Sequence, residues 1–142
     1  MPADSPGTTQ RLFVALSVPA STVAALGALQ PQRAPGVRLT DPADMHITLH
    51  FLGQQDVGVI VRALSSVHAP SCTLMPSAAG SFSLGGGRHA IWVGIELSPE
   101  LLAVHAATGN ALEASGFEPE PRPWVPHITL ARLGPQAPLG RR

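Results

Sequence analysis

The chain lacks lysine altogether, has one cysteine, and has no long apolar run. Each absence excludes something. A single Cys72 cannot form an internal disulfide, so a reducing compartment is the expectation. The opening MPADSPGTTQ has no basic-then-apolar leader pattern. The longest apolar stretches fall far short of the roughly 20 residues that a spanning helix needs. A cytoplasmic protein without membrane contact is therefore expected. A surplus of one charge is missing too: nine basic residues face nine acidic ones, for a formal net charge of +0. Proteins that track a long nucleic-acid backbone carry a basic surplus. Neutrality argues against an extended duplex or long single strand, and leaves room for a short anionic ligand held at one site. That every basic residue is arginine suits phosphate geometry, but a chain rich in Ala, Gly, Pro and Arg points first to GC-rich coding.

What is present is a repeat. HITLHFLG at 46–53 returns as HITLARLG at 127–134, identical at six of eight positions. The 142 residues suit one domain. Along the chain, RLFVALSV (11–18) reads as a strand, TVAALGALQ as a weak helix capped by Ser21 or Thr22, and Met45–Leu52 as a strand. Asp56 caps a helix reaching about His68, with Val57, Ile60, Val61 and Leu64 at helical spacing. SCTLMP and SAAGSFSLGGG read as short strands and turns, and AIWVGIEL (90–97) as a buried strand. Ser98 caps a helix with Leu101, Leu102, His105 and Leu112 on its apolar stripe, ended by Gly116. Mixed α and β elements follow, with the two octapeptides in comparable places, which suggests two similar lobes.

In a strand, side chains alternate between faces. His46, Thr48 and His50 then share one face, with Ile47, Leu49 and Phe51 behind. His127 and Thr129 share a face in the second copy, with Ile128 and Leu130 behind. Read as a helix instead, the first copy offers His46 and His50 at metal-clamp spacing. The β-branched and aromatic residues there disfavour helix, and the second copy replaces the second histidine with Ala131, so no metal is expected.

Two H-x-T motifs, together with RLFVALSVP, RHAIWVGIE and WVPHITLARLG, resemble the 2H phosphoesterases, in the branch of RNA 2′,3′-cyclic phosphodiesterases first described as 2′-5′ RNA ligases. The resemblance runs from about Arg11 to Gly134. It implies an α+β fold over a single bilobal domain, 1–142, with two antiparallel sheets flanking a central cleft and helices outside. The segments 1–10 and 135–142 are expected to be loosely ordered tails. It implies that His46 and His127 face each other as catalytic residues, with Thr48 and Thr129 beside them as substrate-binding groups. It also implies a role for Arg132, which strict alternation would put on the face opposite His127 unless the strand bulges. Relatives of this kind continue for a few dozen residues past the second motif, whereas eight residues follow Gly134 here. An exposed strand edge or an uncovered apolar face is the corresponding expectation.

The implied reaction opens an RNA 2′,3′-cyclic phosphate to a 2′-phosphomonoester, with no cofactor. One imidazole removes a proton from water and the other delivers one to the leaving oxygen. The resemblance casts His127 as base and His46 as acid. Threonine hydroxyls and an arginine suit the phosphate oxygens, and the reverse reaction would ligate a 5′-hydroxyl. Short RNA ends or small cyclic nucleotides are the expected partners, with no obligate protein partner. Two rivals stay open at this point: a phosphodiesterase for 2′-5′ oligonucleotides, and a non-catalytic module binding RNA ends. His50 is expected at the cleft rim and His105 in helix packing. Trp124 is a candidate base-stacking platform or a loop anchor, while Phe13, Phe51 and Trp92 are expected in the core.

Overall fold

The computed structural model describes residues 9–69, 71–118 and 120–137. The expected tails lie largely outside these residues. The elements are β1 (Gln10–Ser17), α1 (Ala20–Gly27), β2 (Val37–Leu39), a 3-10 turn (Pro42–Asp44), β3 (His46–Gln55), α2 (Val57–Leu64), β4 (Pro76–Gly85), β5 (Arg88–Ile95), α3 (Pro99–Ala114) and β6 (His127–Leu133). The fold is α+β: β2, β3 and β5 each pair antiparallel with β6, and β4 pairs antiparallel with β5. The strands that the resemblance divides between two sheets are linked in one hydrogen-bonded order, β1-β3-β6-β5-β4, with β2 on β6. β3 joins β6 at the pair Ile47↔Ile128.

Contacts divide the chain into two units. One draws on 16–47, 74–96 and 125–142 and holds α1, β2, β4, β5, β6 and the first two residues of β3. Its core is Leu26, Met45, Ile47, Val93, Ile95, Ile128, Leu130, Ala131 and Leu133. β4 and β5 form a hairpin whose register closes at Gly85↔Arg88. The two loop residues, Gly86 and Gly87, both have positive φ, at 64° and 77°. That is the conformation of the tight turn matching strand twist, which residues with a Cβ rarely adopt. One long β4 thus replaces the short strands expected there. β2 was not anticipated: three residues give too little pattern to read.

The other unit draws on 1–15, 48–73 and 97–124. α2 starts where expected, with the Asp56 carboxylate accepting from Gly58 N at 2.8 Å and Val59 N at 3.4 Å. It ends at Leu64, four residues early, and Val61 is exposed rather than packed. α3 is capped by Ser98 Oγ, which accepts from Leu101 N at 3.0 Å. It buries Leu101, Val104, Thr108 and Leu112, whereas Leu102 faces solvent. Phe13 and Phe51, expected in the core, are instead 49% and 62% exposed and lie against each other at 6.3 Å between ring centroids. No helix among the described residues is long and apolar enough to cross a membrane.

Candidate active site

The two histidines stand at the starts of β3 and β6, within the same unit. Ile47 and Ile128 are directly opposite and fully buried. His46 and His127 each precede one of them, so antiparallel geometry sets their Cα atoms diagonally across the pair, about 7–8 Å apart. Both imidazoles are anchored alike. His46 Nδ1 lies 2.7 Å from Asp44 O and His127 Nδ1 lies 2.8 Å from Val125 O. A carbonyl oxygen can only accept, so each Nδ1 carries the hydrogen and donates it. In the neutral ring, Nε2 is then the basic nitrogen. The two-residue backward reach is the same in both copies and explains why each motif opens a strand straight after a turn or loop.

Burial along β3 alternates from His46 to Leu49, with His46 and Thr48 half-buried between buried Ile47 and Leu49. The helix needed for a His46–His50 metal clamp is not formed. Along β6, His127 and Thr129 are half-buried while Ile128 and Leu130 are buried. The alternation then breaks: Leu130 and Ala131 are both buried, and Arg132 is exposed. The cause is in the register with β5. Ile91 pairs with Ala131 but Trp92 with Thr129, so β6 carries one extra residue there. That bulge shifts the phase. Gly94, Trp92 and Ala90, every second residue of β5, oppose His127, Thr129 and Arg132 in turn. Arg132 therefore shares the face of His127 and Thr129. The Leu130 carbonyl at the bulge accepts from Thr40 N and from Gln30 Nε2, both at 2.9 Å.

Sequence reasoning misplaced Trp92, which it put in the core. Trp92 is half-buried and packs on the site. Its ring is 5.0 Å from Phe82, stacked at 27°, and 5.9 Å from His127. Phe82 meets His127 edge-on at 5.3 Å. Gly80, opposite Trp92, makes room: a Cβ there would come within 2.5 Å of the indole. Trp92 Nε1 is buried with no hydrogen-bond partner among the described residues. No pattern in AIWVGIEL distinguishes a core tryptophan from this one, because its face depends on the register with β6.

Trp124 is an anchor. Its Nε1 donates to Thr48 O at 2.9 Å, and one ring face is covered by His105, stacked at 4.0 Å and 12°. His105 stacks in turn on His50 at 4.5 Å. His50 Nε2 reaches Thr108 Oγ1 at 2.8 Å and His105 O at 3.2 Å. His50 thus fastens β3 to α3. A depression beside it is lined by Phe51, Phe117, Glu113 and Glu120, and its carboxylates make it a poor seat for a phosphate.

Burial holds both His50 and His105 below the ordinary histidine range, with the charge of His50 adding to the effect on His105. Unfolded histidines titrate near pH 6.5. Below that value the unfolded chain binds more protons than the folded one. Stability from the stack is full above about pH 6.5 and is lost as pH falls through the folded values. The urea midpoint should accordingly drop between about pH 7.5 and 5.5, and His105→Phe should flatten that dependence. An unchanged dependence in the variant would remove the stack from the explanation.

Paired H-x-T strands on an α+β frame define a two-histidine phosphoesterase, and the protein is an enzyme of that class. It belongs to the 2′-5′ RNA ligase superfamily, whose family model matches residues 18–141. The RNA 2′,3′-cyclic phosphodiesterase of Methanocaldococcus jannaschii is 26% identical over 125 residues, covering 87% of this chain and 71% of the relative. The enzyme of the same name from Archaeoglobus fulgidus is 27% identical over 128 residues, covering 87% and 72%. Among solved structures, TT0787 of Thermus thermophilus is 27% identical with a TM-score of 0.69, covering 93% of this chain and 78% of that one. E. coli LigT complexed with 3′-AMP is 25% identical with a TM-score of 0.68, covering 95% and 78%.

Proposed function

We propose that this phosphoesterase opens 2′,3′-cyclic phosphate ends of RNA to 2′-phosphomonoesters, using His127 as general base and His46 as general acid. The observation that carries the reading is the matched pair of Nδ1 anchors, which reserve Nε2 of both rings for proton transfer. His127 Nε2 takes a proton from water as its oxygen bonds to phosphorus. His46 Nε2–H gives a proton to the 3′ oxygen as the P–O3′ bond breaks. Water is consumed, and each histidine ends in the state the other began in. Their diagonal placement on one face of the sheet lets a phosphate sit between the two rings. Thr48 and Thr129 hydroxyls donate to the non-bridging oxygens, and Arg132, on the same face as Thr129, adds positive charge to the substrate-binding face. Relatives named RNA 2′,3′-cyclic phosphodiesterases support the substrate class. The mechanism routes no step through a metal or cofactor. The reverse reaction, with a 5′-hydroxyl in place of water, is the ligase direction.

The test is phosphorus NMR on an oligonucleotide ending in a 2′,3′-cyclic phosphate, with and without EDTA. A 2′-phosphate product formed at the same rate in both is expected. A 3′-phosphate would exchange or abolish the acid and base roles. Loss of turnover in EDTA, restored by a divalent metal, would remove the two-histidine mechanism. Turnover of a 2′-5′ dinucleotide in preference to the cyclic end would change the substrate class.

A further inference from the structure

The bulge in β6 does more than turn Arg132 outward. β2 pairs with β6 on its other side, and Arg38 stands directly opposite Arg132. Directly opposite residues of an antiparallel pair share a face, so Arg38 joins the face of Thr129 and His127. Arg88 has the same phase on β5 as Ala90, which opposes Arg132. All three arginines are exposed. Like charges directly opposite each other destabilise a sheet, and among the described residues none of the three has a carboxylate within 4.0 Å. The six strands contain no acidic residue at all. The neutral total charge therefore hides a local cationic strip. It begins at the end of β6 away from His127.

From this juxtaposition we infer that Arg38, paired with Arg132 and flanked by Arg88, binds the phosphodiester next to the cyclic end of an RNA chain. The inference rests on the proposed function and extends it from the terminal nucleotide to the backbone behind it. Thr129 and Arg132 are three residues apart, roughly 10 Å at strand rise. That is the reach of one to two nucleotides. An anion between two facing guanidiniums also relieves their repulsion, which a substrate carrying one phosphate, already held at Thr129, leaves in place. Arginine is suited to such a seat because its fork meets two phosphate oxygens at once.

Two measurements decide it. The first is the ratio of kcat/KM for a trinucleotide ending in a 2′,3′-cyclic phosphate to that for a mononucleoside 2′,3′-cyclic phosphate. Arg38→Ala should lower this preference about five-fold, the size expected of one exposed charge contact. The second needs no turnover: fluorescence anisotropy of a labelled trinucleotide carrying a terminal 2′-phosphate. Arg38→Ala should weaken binding by a similar factor and reduce the slope of log K against log salt by about 0.7, one phosphate contact on a single strand. Arg38→Lys should restore part of both. A preference ratio and salt slope equal to those of the parent protein would overturn the inference. If the parent protein hydrolyses neither substrate, the proposed reaction fails, and the anisotropy series alone then decides the phosphate seat.

Discussion

His46→Ala and His127→Ala are each expected to lower kcat/KM for a cyclic phosphate end by about 10²–10⁴-fold, the usual worth of a positioned general acid or base. The fold should survive, because both side chains are half-buried on the substrate face and the packing at that point belongs to Ile47 and Ile128. The pH profile should change with them. Two imidazoles that must start in opposite protonation states give a bell, and removing either should erase one limb. A variant that kept more than about a tenth of the parent rate would rule out the two-histidine scheme.

The second large effect lies one residue further on. Ile128→Ala should cost about 2–5 kcal/mol of stability, since it deletes buried methylenes from a side chain with no exposed surface. Ile47→Ala should cost a similar amount, and the two should not add, because the residues oppose each other in the sheet. Urea denaturation measures all three. A loss under about 1 kcal/mol for Ile128→Ala would mean that the β3–β6 junction is supported elsewhere. The comparison separates two jobs within one motif: under the proposed mechanism the histidine column does the chemistry, and the isoleucine column keeps the histidines at their diagonal spacing.

Much of this was legible in the residues. The alternation of HITL predicts which side chains are buried, and β3 and β6 follow it through Leu49 and Leu130. Asp56 and Ser98 announce the two helices they cap. What could not be read depends on partners. The bulge is a count of two residues on β6 against one on β5, so it exists only in the pairing. Arg132, Arg38 and Trp92 take their faces from that pairing, and sequence reasoning placed Trp92 in the core and left Arg38 unremarked. Trp124 was ambiguous for a related reason: whether an indole offers a free face depends on what stacks on it, here His105. Phe13 and Phe51 look like core residues because they sit in apolar strands, yet the fold leaves both rings at the surface.

The extra residue in β6 also acts as a reading frame. From His127 to Thr129 the substrate face falls on odd numbers, and at Arg132 it falls on an even one. Pairing in strict alternation at full length, without the bulge, would rotate the guanidinium toward the core, where Leu133 now lies buried. Burying an unpaired charge costs several kcal/mol. The bulge is thus equivalent to a compensating frameshift in three dimensions: everything before it keeps its phase, and Arg132 after it is brought back to the face that strict alternation would have lost.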